Sequence, residues 1–318
     1  MNPGPLFYWT RLLRRTLALS LLLVLSACKG ELTMTPTPQT YFTGKQLALA
    51  QLVDTADGDA VYRYAMGMGL EELNAYGKEN MTVLMYAAEK PPAETKWYPG
   101  MIALIKAGAN PQQKAGELNA SLLKFAIGTI QVGPERNLSL LTALLEGGTN
   151  PDTATDADSA TPLLIAVSFQ DSLPAIKLLV EHGADVNIRD AGGDTPLSEA
   201  ITTLGLAEVE YLLDKGGDPV KAINYYGVSF AWLLYDQIRD PANPKDPRLP
   251  RAYAIRDRII KMGVQWPPES PEQFRERYAA QYKQKTGKAF VFMPDEGWEN
   301  FYPVYTPAPV RKVPVAKR

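Results

Sequence analysis

The sequence is almost without cysteine and histidine. Cys28 is the only cysteine and His182 the only histidine among 318 residues. One thiol cannot form a disulfide within the chain, so the fold must be stabilised by a hydrophobic core, for which 46% of the residues are suited. The scarcity of both residues also argues against a zinc-type metal site.

The motifs of common catalytic sites are missing as well. The sequence contains no Walker-type phosphate loop, no Gly-x-Ser-x-Gly elbow and no Asp-x-Asp-x-Asp-Gly calcium loop. His182 precedes a Gly-Ala-Asp turn, and a structural role is the favoured interpretation. The remaining acidic candidates fall in loops, where we expect them to be solvated: Glu71, Glu72, Asp152, Asp156 and Asp158. We therefore expect no enzymatic activity, no cofactor and no metal, which leaves binding as the class of function.

Neither sign of charge dominates. The formal net charge is −2, from 33 basic and 35 acidic residues. Residues 1–27 contain Arg11, Arg14 and Arg15 and no acid, so 30 basic residues face 35 acidic ones in the remainder. A mildly acidic chain of this kind is not expected to bind nucleic acid.

No apolar run is long enough for a spanning helix. The longest, TLALSLLLVLSA at 16–27, has roughly 12 residues, whereas a bilayer requires about 20. It follows a basic start and ends on small residues, which is the layout of a secretory signal peptide. A permanent anchor helix is the less favoured alternative.

Residues 25–28, LSAC, resemble the bacterial lipobox. The resemblance implies that residues 1–27 are a lipoprotein signal peptide, that the chain is cut before Cys28, and that the cysteine thiol and the new N-terminus are acylated. Two or more acyl chains anchor a protein stably. Lys29, where some lipoproteins have aspartate, implies transfer to the outer membrane. The expected location is the bacterial cell envelope, facing the periplasm.

Residues 28–43 carry the cysteine and a stretch that is poor in core residues and rich in threonine and proline. We interpret this stretch as a flexible tether, with no core residue before position 43.

A pattern then recurs along the chain. A threonine or serine suited to cap a helix opens each unit, and a glycine turn closes it. The openings are TVLMYA at 82, SLLKFA at 121, TPLLIA at 161, TPLSEA at 195 and SFAWLL at 229. The glycines, which should adopt a left-handed conformation, are Gly108, Gly148, Gly183, Gly216 and Gly263. The openings are 39, 40, 34 and 34 residues apart.

The stretch GADVNIRDAGGDTPLSEAI at 183–201 resembles the ankyrin-repeat consensus, whose repeat is about 33 residues. The resemblance implies an all-α ankyrin-repeat solenoid of stacked helix pairs with projecting hairpin fingers and helical caps at both ends. The expected array covers 44–266, with an N-terminal cap at 44–77 and repeats at 78–115, 116–157, 158–190, 191–224 and 225–266. Repeats 158–190 and 191–224 match best.

Two segments are expected after the array. Ser270-Pro271-Glu272-Gln273 resembles a capping box that opens a helix to about Lys285, within a C-terminal capping segment at 267–287. The proline-rich, basic tail at 288–318 is expected to be unstructured.

Insertions between the two helices of a repeat share one edge of such an array and often mark its binding face. They are KPPAETKWYPG (90–100), QVGPERN (131–137), FQDSLP (169–174) and RDPANPKDPRLPR (239–251). Trp97 and Tyr98 in the first insertion are the leading candidates for binding a protein, because aromatic residues are frequent binding hot spots. The alternative is that Trp97 folds back over the neighbouring repeat.

The longest insertion supplies the second group of candidates, Arg239, Arg248 and Arg251, and the finger residues Arg189 and Asp190 are third. Four prolines of the longest insertion recur every third residue, as polyproline II would align them. They are Pro241, Pro244, Pro247 and Pro250. They form either a docking rib or, by the favoured interpretation, a stiff spacer.

The expected function is that of a monomeric, lipid-anchored, periplasm-facing protein that binds another protein. In architecture the chain resembles immunity proteins that neutralise type VI secretion phospholipase effectors, which would make the partner a phospholipase toxin. The alternative is a scaffold of the envelope, or a partner that stabilises a periplasmic enzyme.

Overall fold

The computed structural model describes residues 37–55, 57–89, 98–114, 121–128, 134–153, 160–169, 171–224, 226–239 and 244–289. Apart from one isolated bridge between Ile223 and Ser229, the regular structure of these residues is helical. None of the described helices combines the length and the apolar character that crossing a bilayer requires. The chain divides into two compact units, Met1–Asn150 and Pro151–Arg318.

The described helices of the first unit are α1 (Pro38–Tyr41), α2 (Gly44–Asp54), α3 (Gly58–Met66), α4 (Leu70–Leu73), α5 (Val83–Ala88), α6 (Tyr98–Lys106), α7 (Leu122–Gly128) and α8 (Pro134–Glu146). They pack as pairs, α2 with α3, α5 with α6 and α7 with α8. Neighbouring pairs stack, because α2 contacts α5 and because α3, α6 and α8 contact one another in turn.

The described helices of the second unit are α9 (Pro162–Val167), α10 (Leu173–Glu181), α11 (Pro196–Thr202), α12 (Leu206–Asp214), α13 (Phe230–Arg239), α14 (Leu249–Lys261) and α15 (Pro271–Thr286). First helices α9, α11 and α13 pack side by side, as do second helices α10, α12 and α14. The core lies between the two rows, where Leu163, Ile176 and Phe230 are fully buried.

Side-chain caps open most of the first helices, as the sequence predicts. The hydroxyls of Thr82, Thr195 and Ser229 accept hydrogen bonds from the backbone three residues later, at 3.2, 3.3 and 3.0 Å. Thr161 differs, because its buried hydroxyl has no hydrogen-bond partner within the described part of the chain. Pro162 at the first helical position supplies the helix start there through its fixed φ.

The glycine turns have the predicted conformation. The φ angles of Gly108, Gly148, Gly183, Gly216 and Gly263 are +104°, +100°, +92°, +92° and +98°. Each turn ends the second helix of a pair, and its backbone amides bond back to the last turn of that helix. These turns allow the chain to leave the helix row and form the finger that leads to the next pair.

A ladder of side-chain hydrogen bonds joins successive fingers. Asn187 accepts from the Asp218 amide at 2.8 Å and donates to the Gly216 carbonyl at 3.1 Å. One repeat earlier, Asp152 accepts from the Asp185 amide at 3.0 Å. In the first unit, Asn74 repeats the two bonds of Asn187 with Asn110 and Gly108. The ladder holds each finger at a fixed distance from the next.

The predicted tether boundary at position 43 is wrong, because the packed part of the chain begins earlier. Residues Pro38–Tyr41 form α1, and Tyr41 and Phe42 are 8% and 2% exposed. Their rings meet that of Tyr86 at centroid distances of 6.3 and 5.8 Å. Two large aromatic side chains directly before α2 bury too much apolar surface to stay in solvent. The lipidation residue Cys28 lies outside the described residues.

The polyproline II arrangement predicted for the longest insertion is also wrong for those of its residues that the structure describes. Residues 244–248 form turns, and α14 begins at Leu249 with Pro250 in its first turn. The Asp246 carboxylate accepts from the Arg248 amide at 2.9 Å and folds the chain back before the helix. Proline is favoured in a first helical turn, which explains Pro250 without a polyproline helix. Pro241 lies outside the described residues.

The capping box before α15 is confirmed. The Ser270 hydroxyl accepts from the Gln273 amide at 3.2 Å, and the Gln273 side chain accepts from the Ser270 amide at 2.9 Å. Phe274 is 7% exposed and lies against Gly227, where a Cβ would come within 2.5 Å of its ring. The α15 helix therefore covers the finger of the last repeat. The predicted tail begins within the last described residues, and 290–318 lie outside them.

Candidate protein-binding surface

Of the two aromatic residues that lead the sequence-based candidates, only one lies in the described part of the chain. Trp97 lies outside the described residues, and Tyr98 is the half-buried first residue of α6. The next residue, Pro99, packs so closely on α3 that its carbonyl oxygen lies 3.0 Å from the position of a Cβ on Gly58. The sequence suggested that Tyr98 belongs to a free loop. In the structure it is instead the first residue of a packed helix.

The three arginines of the longest insertion are exposed but already engaged. Arg248 makes two-pronged contact with Asp246, and these hydrogen bonds lower the pKa of the Asp246 carboxyl to about 2. Arg251 of α14 reaches the Glu210 carboxylate of α12 at 2.8 Å. Such exposed ion pairs contribute little stability, so these arginines can exchange their present partners for others.

Arg239 differs because it lies over aromatic rings. Its guanidinium carbon is 5.7 Å from the ring centroids of both Trp232 and Tyr235. Its terminal nitrogen also contacts the Asp236 carboxylate at 2.8 Å, and nearly half of its side chain is exposed. Arginine stacked on aromatic rings presents a fixed, positively charged edge to solvent.

The finger residue Arg189 has a structural role. Its guanidinium donates to the Gly193 and Ile223 carbonyls, both at 2.7 Å, and to the Lys221 carbonyl. The side chain thus fixes its own finger and the finger of the following repeat. A group that binds three internal carbonyls has little capacity left for a partner protein.

Asp190 shapes the tip of the same finger. One carboxylate oxygen accepts from the Gly192 and Asp194 amides at 2.8 and 2.9 Å. The Asp190 amide in turn donates to the Asp194 carbonyl at 3.1 Å. These hydrogen bonds explain the presence of aspartate at position 190 by the geometry of the turn that it closes. His182 is likewise at a helix end, where its ring Nδ1 lies 3.0 Å from the Leu178 carbonyl.

The structure brings together an aromatic–arginine cluster, consisting of Trp232, Tyr235, Arg239 and Trp266, of which the sequence singled out only Arg239. The first three lie at positions i, i+3 and i+7 of α13 and share one helix face. Trp266, from the turn after α14, meets the Tyr235 ring edge-on at 5.6 Å, and Tyr235 meets Trp232 at 5.6 Å. All three aromatic side chains are half-buried.

Comparison with the preceding repeats shows what is special about Trp232. It is the third residue after the cap of its helix, the place held by Leu164 in α9 and Ser198 in α11. Both of those side chains are buried, at 6% and 2% exposure. In the repeat opened by Ser121 the place is half-buried and holds Lys124, and in the last repeat it is half-buried and holds the larger Trp232. The signal in the sequence is this departure from the pattern, together with the i, i+3, i+7 spacing.

The described residues offer a geometry suited to binding at the aromatic–arginine cluster. Within them, no three histidine, cysteine, aspartate or glutamate side chains lie close enough to hold a metal ion. The cluster, in contrast, combines the three residue types that most often dominate protein–protein binding energy. It is the described surface best suited to a partner protein.

Comparison with known proteins supports the repeat assignment. The model of a family described as ankyrin repeats (3 copies) matches residues 130–222. The ankyrin repeat-containing protein P1E11.10 of Schizosaccharomyces pombe is 47% identical over 53 residues, which are 17% of this chain and 25% of that protein. The putative ankyrin repeat protein FPV222 of Fowlpox virus is 34% identical over 88 residues, or 28% of this chain and 12% of that protein.

Among solved structures, the ankyrin repeat protein EF0377 aligns with a TM-score of 0.41 and 20% identity, covering 61% of this chain and 94% of that one. The matched segments span a quarter or less of the length of the two curated relatives. Residues 130–222 match ankyrin repeats, the regular structure of the described residues is helical, and the predicted fold class, an all-α ankyrin-repeat solenoid, is confirmed.

Proposed function

We propose that this ankyrin-repeat chain is a lipid-anchored protein of the bacterial cell envelope that faces the periplasm and binds another protein. Ankyrin repeats generally serve protein–protein interaction, and a partner protein is the coarse expectation from the family match. The observation that carries the proposal at residue level is the aromatic–arginine cluster of the last repeat.

The cluster suits recognition for physical reasons. Trp232, Tyr235 and Trp266 are fixed by ring contacts with one another, so binding would immobilise few additional torsions. Arg239 stands over two of these rings with its charged edge exposed. Such a rigid aromatic surface with one stacked arginine fits a partner that presents an apolar patch beside a carboxylate.

The anchor is supported by the sequence LSAC at 25–28 and by the apolar run before it. A lipid on Cys28 would hold the array at the membrane and raise the local concentration of the binding surface there without any new contact. Lys29 favours the outer membrane.

The most specific form of the proposal is immunity. A protein that neutralises a type VI secretion phospholipase effector must act beside the periplasmic membrane surface, where the toxin attacks lipids. A tethered protein-binding array meets that requirement. The alternative, a scaffold or a stabilising partner of a periplasmic enzyme, uses the same surface without protecting the cell.

Protection of cells separates these two forms. Cells would express a type VI secretion phospholipase effector, directed to the periplasm, together with the wild-type chain, Cys28→Ser, or Trp232→Ala with Arg239→Ala. Immunity predicts survival with wild type and loss of survival with the double variant at equal protein abundance. The Cys28→Ser chain should protect less, because it loses its anchor. Equal killing with and without the wild-type chain would leave the scaffold form.

A further inference from the structure

Three exposed apolar side chains, Tyr62 and Met66 of α3 and Leu70 at the start of α4, form the surface that we call the apolar stripe. These side chains are 39%, 40% and 49% exposed. Tyr62 and Met66 are one helical turn apart and share a face. The adjacent face of α3 is packed, since Val61 and Ala65 are 0% and 1% exposed.

The stripe lies on the helix pair through which the chain enters the array. Among the described elements α3 packs on α2 within its own pair and on α6 of the next pair. The entering segment is pinned to this end, because α1 packs on α2 and Phe42 lies 5.8 Å from the Tyr86 ring. Because α1 and α3 each pack on α2, the stripe and the point of chain entry are at most about two helix diameters apart, or roughly 20 Å.

The length of chain before this point limits how far the end can be from an anchor at Cys28. Nine peptide steps separate Cys28 from Thr37, the first described residue. Fully extended, they span at most about 30 Å. Because the later repeats are farther along the chain, the N-terminal pair is the part of the first unit that the anchor holds nearest the membrane.

The charges around the stripe are mixed. Asp59, Arg63 and Glu71 are exposed beside it, and Lys45 is paired with Glu72 at 2.9 Å. A surface without a cationic excess does not depend on anionic lipid for attraction. Its contact with a bilayer would rest on tyrosine, methionine and leucine entering the boundary between headgroups and acyl chains.

We infer that the Tyr62–Met66–Leu70 stripe is a membrane-contact surface that seats the N-terminal end of the array on the lipid bilayer. This inference rests on the proposed anchoring at Cys28 and deepens it. The short tether keeps the N-terminal end of the array near the bilayer, and the stripe determines which face of that end contacts the lipid. The first helix pair would then lie against the lipid.

A fluorophore at single cysteines tests the contact. The thiol of a lipidated Cys28 is blocked, so a cysteine placed at 62, 66 or 76 is the only reactive one. Tyr76 is the matched control: it is 47% exposed in the same unit, but its hydroxyl contacts the Lys114 carbonyl of the next finger. The purified lipoprotein variants would be labelled with an environment-sensitive dye and reconstituted in phosphatidylethanolamine–phosphatidylglycerol vesicles.

Spin-labelled lipid should quench the dye at 62 and at 66 about twofold more strongly than the dye at 76. This difference should change little in 0.5 M salt, as expected for apolar contact at the membrane interface. Equal quenching at the three positions overturns the inference, as does loss of the quenching in 0.5 M salt. A dye shift at 62 that depends on protein concentration without vesicles also overturns it, because the stripe would then contact a second copy.

A parallel arm separates this inference from the proposed lipidation. The chain from Lys29 onward, carrying an N-terminal histidine tag, is held on vesicles by nickel-chelating lipid and needs no acylation. Stronger quenching at 62 and 66 than at 76 in this arm supports the stripe even if mass spectrometry finds Cys28 unmodified. Equal quenching here, with Cys28 acylated in cells, overturns the stripe alone.

Discussion

At the scale of single residues, the glycine turns show how backbone geometry selects a residue type. Gly216 has φ of +92°, and a Cβ there would meet nothing within 4 Å. Any cost of a side chain at this place therefore comes from the backbone conformation and not from a clash. Non-glycine residues rarely adopt this region because the Cβ approaches the carbonyl oxygen of its own residue.

Gly216→Ala should lower the free energy of unfolding by about 1–2 kcal/mol. Gly128→Ala is the matched control, because Gly128 also has open space around it but lies within α7 and has no positive φ. Its replacement should not lower the free energy of unfolding, since alanine is favoured over glycine in a helix by about 0.5–1 kcal/mol. Urea unfolding of both variants measures the difference. Equal losses would show that φ at Gly216 does not limit the residue type.

The finger ladder gives a second prediction at this scale. Burial raises the pKa of Asp152, the hydrogen bond from the Asp185 amide opposes this, and the Asp185 charge adds to the increase. Asp152→Asn keeps the acceptor and adds a donor that can reach the Gly183 carbonyl, as Asn187 reaches that of Gly216. We expect a gain of about 0.5–1 kcal/mol in unfolding free energy at pH 7.

The sign of the pH dependence follows from the raised pKa. A carboxyl of this kind favours the folded state while it is protonated, and it loses that contribution as pH rises through its folded pKa. Removing the charge should therefore help at pH 7 and help less near pH 3, below the ordinary value of 3.8. The reverse change, Asn187→Asp, should destabilise at pH 7. Thermal melting at the two pH values checks both signs, and a stability gain for Asn187→Asp would refute the ladder account.

The sequence could predict these turns because each requires one residue type at one place. It could not predict the finger contacts of Arg189 in the same way. Those carbonyls belong to residues up to 34 positions away, and their direction depends on how neighbouring fingers stack. The residue was therefore interpreted as a surface candidate, whereas it binds inside the finger layer.

At the scale of elements, the fingers depend on Arg189. Arg189→Ala should leave three carbonyls without their charged donor and lower the unfolding free energy by about 2–3 kcal/mol. Arg256→Ala is the control, because that arginine pairs only with its neighbour Asp257 and the Tyr253 ring among the contacts described. Its effect should stay below about 1 kcal/mol. Hydrogen exchange at 221–223 should rise in the first variant and not in the second; unchanged exchange in both would contradict a linking role.

The helices themselves show what periodicity can and cannot supply. Caps and glycine turns located the first and second helices of the repeats, because these signals are local. The α1 segment escaped notice, because four residues give no period and their burial depends on the Tyr86 ring contributed by a later helix. Regular proline spacing was misleading in the longest insertion, because Asp246 folds the backbone before Pro250.

At the scale of the whole molecule, the stacked repeats supply the stable core, and the last repeat carries the candidate binding surface. Buried positions of earlier repeats hold small or aliphatic side chains such as Ser198 and Leu164, which neighbours cover. The last repeat places Trp232 there and surrounds it with Tyr235, Arg239 and Trp266. The sequence predicted a protein-binding array but directed attention to the insertions, because an aromatic residue within a helix is usually assigned to the core.

The central claim, that this cluster binds a partner protein, is tested most directly by photo-crosslinking in cells. A photoreactive phenylalanine derivative would replace Tyr235, and separately Tyr76, an exposed tyrosine of the other unit. The account predicts a crosslink from position 235 to one protein species, none from position 76, and loss of the 235 adduct when Arg239→Ala is added. Equal adducts from both positions, or no adduct from position 235 while the chain is folded and abundant, would contradict it.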